Sequence, residues 1–179
     1  MDGLQLYVHV VQPTLALLAG AGIPNTRAAE ALILATAAHE SGGFHAIDQV
    51  TRPDDITAGP ARGLWQIEPS THADLYLNYL RFRPTLMAAL ESFLAAAPDR
   101  DQQLATNLAY GCAVARLLYH RRRVVLPATA DPQALGREWK RLFNTAKGKG
   151  TLAQFSAAYE RHVAPVFRAY DRALARLAV

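Results

Sequence analysis

The chain has 179 residues, 51% hydrophobic and 19% charged, which is enough for one domain with its own core and excludes a disordered, collagen-like or coiled-coil chain. Lys and Arg outnumber Asp and Glu by 19 to 15, a surplus that suits an anionic polymer without identifying it. The single cysteine, Cys112, excludes an intramolecular disulfide and any cysteine-clustered zinc or iron–sulfur site.

In chain order, the apolar stretch from Leu4 to Ile23 is interrupted by Gln5, His9, Gln12 and Pro13 and follows an N-terminus without a basic patch. It is expected to be a helical segment within 1–24, neither signal peptide nor membrane span. After Asn25 and Thr26, residues 28–40 are good helix formers, and Gly42-Gly43 ends them, placing Glu40 at the end of a largely buried helix. Residues 44–67 break into Pro53, Asp54, Asp55, Gly59, Pro60 and Gly63, a loop-rich lobe with room for a small β-hairpin. Pro69 opens a helix to about Arg81, with Thr71-His72-Ala73-Asp74 resembling a capping box. Further helices are expected over 84–97, 101–121 and 131–144, each opened by Pro or Asp. Thr151 caps a last helical region reaching toward Leu177, within which Pro165 imposes a kink or a split. The run Arg121-Arg122-Arg123 lacks interleaved aromatics and reads as a solvated helix end, so no nucleic-acid partner is expected. Without repeats or linkers, the whole is one mainly α-helical domain.

Four local features carry candidate chemistry. In His39-Glu40-Ser41-Gly42-Gly43 a carboxyl closes an apolar helix, where burial and the negative end of the helix dipole both raise its pKa toward that of a general acid. A surface Glu closing a helix is the plainer alternative. In Gly63-Leu64-Trp65-Gln66-Ile67-Glu68-Pro69 a glycine, an aromatic and an amide match the way proteins bind sugars, although a buried turn with Trp65 in the core explains it equally. Asn107-Leu108-Ala109-Tyr110-Gly111 suits close helix packing with Tyr110 directed inward. Trp139 to Thr145, followed by Gly148 and Gly150, sets Asn144 at a helix end beside a turn.

Taken in this order, Glu-Ser at a helix end, Gly-Leu-aromatic-Gln-Ile-x-Pro, an Asn/Tyr/Gly helix and aromatic-Asn-Thr before glycines resemble the lysozyme-like lytic transglycosylases. The similarity is to the soluble-lytic and goose types, and especially to phage-encoded lysins, over about residues 32–151. It implies a lysozyme-like domain with its small lobe beside an active-site cleft, a catalytic core over about 25–151 and a C-terminal helix over 152–179. It further implies Glu40 as acid/base, Ser41 as a nearby hydroxyl, a cleft walled by Gly63, Leu64, Trp65 and Gln66, and Asn144 near the reacting sugar. Phe143 stands where the family often has a tyrosine, and Tyr110 is the candidate substitute.

The implied reaction is cleavage of the β-1,4 bond between N-acetylmuramic acid and N-acetylglucosamine in peptidoglycan glycan strands, with closure of an anhydro ring. The alternatives are a hydrolytic lysozyme using a second carboxylate from Asp48, Asp54, Asp55 or Glu68, and a non-catalytic phage structural protein. The expected setting is the virion, with other virion proteins as partners, or the host cytoplasm with release to the cell wall. No cofactor or metal is expected, because a zinc-protease motif on His39 needs a second histidine at position 43, which is glycine. Cys112 falls at apolar helical spacing, and Ser41 has no nucleophile elbow around it.

Overall fold

The computed structural model describes residues 1–47, 59–143 and 150–178. The N-terminal segment is a single rod over 3–20: α1 (Gly3–Leu6), one wide π turn (Tyr7–Val11) and α2 (Gln12–Gly20). The wide turn directly precedes Pro13, which has no N–H to offer the carbonyl one turn back. Asp2 caps the rod by accepting from the Gln5 N–H.

Helix α3 (Arg27–Glu40) is the axis of the domain. Thr26 caps it at the Ala29 N–H, 3.1 Å away, and every residue from Ala28 to Ala38 except Glu30 is buried. The alanines let α7 (Leu108–Arg121), α8 (Pro132–Leu142), α9 (Leu152–His162) and the π turn approach its backbone closely. Leu32, Ile33 and Leu34 fill the remaining volume, each worth about 1.5–3 kcal/mol of burial. The other helices are α4 (Pro69–Asn78), α5 (Pro84–Glu91), α6 (Arg100–Thr106) and α10 (Ala164–Leu177), with a 3-10 turn over Leu80–Phe82. The mainly α-helical class holds. None of the described helices is long and apolar enough to cross a membrane.

Several boundaries differ from expectation, each for a local reason. The cap of α4 is Glu68 with Pro69 in the first turn, so Thr71 and Asp74 lie inside the helix rather than forming a capping box. Asp74 instead pairs with Arg121 and accepts from Asn78. The helix expected over 84–97 stops at Glu91 because side chains from α6 and its exit take over the following backbone. Gln103 exchanges hydrogen bonds with both the N–H and the carbonyl of Ala95 and donates to Pro98, while Asn107 donates to the Phe93 carbonyl. The helix expected over 101–121 is two helices. Asn107 takes extended backbone (φ −122°, ψ 95°) and caps α7 through the Tyr110 N–H. Thr151 forms the full capping box with Gln154, and Pro165 sits in the first turn of α10, splitting the last helical region at Val163.

Among the described residues there is no strand. What exists of the expected hairpin is one antiparallel bridge in which Arg62 and Ile67 exchange two N–H to O=C bonds of 3.0 Å around a tight turn.

Candidate active site

Glu40 is the last residue of α3. Immediately beyond it the chain reverses through Gly42 (φ +61°), Gly43 (φ +85°) and Phe44 (φ +68°). The positive φ at Gly43 favours glycine, and a Cβ there would come within 2.7 Å of the His162 ring and force that side chain to shift. The reversal leaves the partly buried carboxyl at the end of the helix axis.

Trp139, from α8, donates its indole N–H to Glu40 Oε1 at 2.7 Å. The indole is fully buried and cannot turn away: Phe155 of α9 stacks on it at 5.1 Å and His39 meets it edge-on at 4.3 Å. Burial pushes the Glu40 carboxyl above its ordinary pKa, and the indole N–H opposes that rise in part. Burial also lowers the pKa of His39, favouring the neutral ring beside the indole. Tyr119 of α7 shares a 2.8 Å hydrogen bond with Thr36 and is held well above its ordinary pKa, first by burial and also by the nearby charge of Glu40. Its ring packs against Phe143 at 5.2 Å.

Phe143 lines a cleft of about 550 Å³ together with Gln66, Glu68, Asp74, Arg121 and Arg122. Both charge signs and an aromatic edge suit a polar, uncharged ligand such as a glycan. Gln66 reaches this cleft from the tight turn, in left-handed backbone (φ +46°) with its amide donating to the Gly63 carbonyl at 2.8 Å. The turn cannot form without Gly63, where a Cβ would lie 1.9 Å from the Leu104 carbonyl oxygen.

The structure separates the expected site residues. Glu40 and Gln66 are partly accessible, the latter in the cleft. Ser41 is 1% exposed and spent on the turn, donating to the Ala37 carbonyl at 2.6 Å and accepting from the Phe44 N–H at 2.9 Å, so it closes a helix rather than meeting a ligand. Trp65 is likewise a core residue, 1% exposed with its indole donating to the Ile33 carbonyl at 3.0 Å. Gly63 and Leu64 are buried with it and do not line the cleft of about 550 Å³. Tyr110 does not take the role at the Glu40 carboxyl that the resemblance suggested for it. It is fully buried, and its hydroxyl is bound to His72 at 2.6 Å and Tyr76 at 3.1 Å in a network anchored by Asp101. Glu68 is exposed at the cleft with the Ser70 hydroxyl 3.4 Å away. Asn144, Asp48, Asp54 and Asp55 lie outside the described residues.

Two residues of the site escaped sequence reasoning. Trp139 was visible only as part of a motif, although Leu135 and Trp139 fall one turn apart on a face that must be buried. Tyr119 follows Cys112 and Ala115 at the same helical spacing, a signal for burial that says nothing of a neighbouring carboxyl. Among the described residues no three His, Cys, Asp or Glu side chains gather where a metal ion would fit.

Compared with family models, with curated proteins and with solved structures, the chain matches none.

Proposed function

We propose that the chain is a lysozyme-like peptidoglycan-cleaving enzyme of the lytic transglycosylase type, with Glu40 as its acid/base. The observation that carries this reading is the Glu40 carboxyl: at a helix end, partly buried, raised in pKa and, among the described residues, gripped at one oxygen by the Trp139 indole. A carboxylic acid held in this way keeps Oε1 as acceptor and leaves Oε2 to carry the proton. That proton goes to the bridging oxygen of a MurNAc-β-1,4-GlcNAc bond as positive charge develops at the muramyl C1. The resulting carboxylate then takes the proton of the muramyl 6-hydroxyl, whose oxygen bonds to C1 and closes the anhydro ring. One carboxylate serves both steps. The glycan strand occupies the cleft beside Gln66 and Phe143, and the ordered motifs that resemble phage lysins favour a virion-borne or endolysin setting.

A hydrolytic outcome has one observation in its favour, the exposed Glu68 carboxylate in the same cleft, available to activate water. Mass spectrometry of fragments released from purified peptidoglycan distinguishes the outcomes. Muropeptides lighter by one water and inert to borohydride, absent with Glu40→Gln, are the expected result. Reducible ends that disappear with Glu68→Gln establish hydrolysis instead. If the wild-type chain releases nothing, the domain is a structural or binding module and the enzymatic reading fails.

A further inference from the structure

At the C-terminal end of α7 the chain holds a second cavity, of about 740 Å³, lined by Arg83, Arg116, His120, Arg121 and Arg123 and, on one wall, Tyr79. Among the described residues no acidic side chain lines it. Basic residues in the last turn of a helix are ordinarily explained by the helix dipole, and His120 and Arg121 fit that account. Arg116 does not. It lies more than a turn earlier, is 5% exposed, and donates from Nη2 to the Pro24 carbonyl at 2.9 Å, while its buried Nε has no hydrogen-bond partner among the described residues. A buried guanidinium without a carboxylate is costly, and an anion brought to it offsets that cost. Arg83 adds a second guanidinium, fixed over the Tyr79 ring at 4.0 Å and donating to the Tyr79 carbonyl at 3.2 Å. Asp74, the acidic side chain nearest these arginines in the hydrogen-bond network, is already taken by Arg121 and Asn78.

We infer that this cavity binds a phosphoryl group, with Arg83, Arg116 and Arg123 as its guanidinium donors and His120 as a further one. Cations brought from three directions, the start of α5, the body of α7 and the turn beyond it, match a tetrahedral dianion better than a planar carboxylate, which two parallel N–H bonds satisfy from one side. Pro24, Val124 and Leu126 supply an apolar wall for the remainder of a phosphate ester. The inference is independent of the glycan reading.

Titration calorimetry of the full chain with pyrophosphate at constant ionic strength tests it. One saturable site is expected, weakened at least about tenfold in Arg83→Gln and in Arg123→Gln, both exposed positions that leave the core intact. Arg141→Gln, at a 58% exposed side chain paired with Glu138, leaves the affinity unchanged. Inorganic phosphate and a sugar phosphate are compared in parallel: equal affinity identifies the free anion, tighter binding of the ester identifies an ester. A second readout is the His120 pKa, followed by NMR. Burial, Arg116 and Arg83 hold it below the ordinary histidine value, with Arg121 and Arg123 adding positive charge around it, so a bound phosphoryl group raises it. Absence of saturable binding, equal affinity for citrate, or unchanged affinity in both arginine variants overturns the inference.

Discussion

At Glu40 burial and the Trp139 indole pull the carboxyl in opposite directions, and burial prevails. A glutamate whose folded pKa lies above its unfolded value destabilises the fold once it ionises. Its cost is absent below the unfolded pKa, near 4.5, and complete above the folded one. Glu40→Gln is therefore expected to raise Tm at neutral pH, with the gain vanishing as pH falls below about 4; a gain that persists at low pH would assign it to packing instead. Trp139→Phe removes the N–H that restrains the carboxyl, so Glu40 keeps its proton to higher pH and the alkaline limb of the pH–activity profile, where the general acid ionises, moves to higher pH while the ring contacts largely remain. Glycine positions separate strain from space. Gly63→Ala drives a Cβ onto the Leu104 carbonyl and is expected to cost more than about 3 kcal/mol, or folding itself, in chemical denaturation. Gly42→Ala at φ +61° meets nothing within 4 Å and costs about 1–2 kcal/mol from backbone strain alone.

Among the elements, helix starts were legible and helix ends often were not. Thr26, Asp131 and Thr151 cap helices as their residue types dictate, since a short side-chain oxygen beside a free N–H is a purely local matter. Asn107 defeated local reading because its amide works at three places: it caps α7 with its oxygen and ties Phe93 and Gln103 with its nitrogen. Asn107→Ala is expected to lose about 2 kcal/mol, with Asn107→Asp, which keeps the cap and loses the donors, falling between. The site divides along the same line. Glu40 at a helix terminus followed from the glycines after it, whereas the burial of Trp65 and Tyr110 depends on neighbours far along the chain, at Ile33 and His72. An aromatic beside a glycine has the same sequence pattern whether its ring faces a sugar or a helix.

Across the whole molecule, Arg27 joins the two ends of the chain. Its guanidinium donates to the Tyr7 hydroxyl and to Asp171, each at 2.7 Å, and lies 3.9 Å from the centre of the Phe167 ring. The ion pair with the exposed Asp171 is worth little, and the ring and hydroxyl contacts carry the join. Arg27→Gln is expected to speed hydrogen exchange in α10 while α7 keeps its protection; uniform loss along the chain would instead mean a global effect. The two tryptophans divide the molecule in another sense. Trp65 is anchored to α3 in the core, and Trp139 is bonded to a carboxyl that titrates. In Trp65→Phe, with His39→Asn removing the imidazole from the indole edge, the remaining emission becomes an optical titration of Glu40 in the intact protein. The charge state of the proposed acid can then be followed by fluorescence without any substrate, and its midpoint compared directly with the pH dependence of wall cleavage.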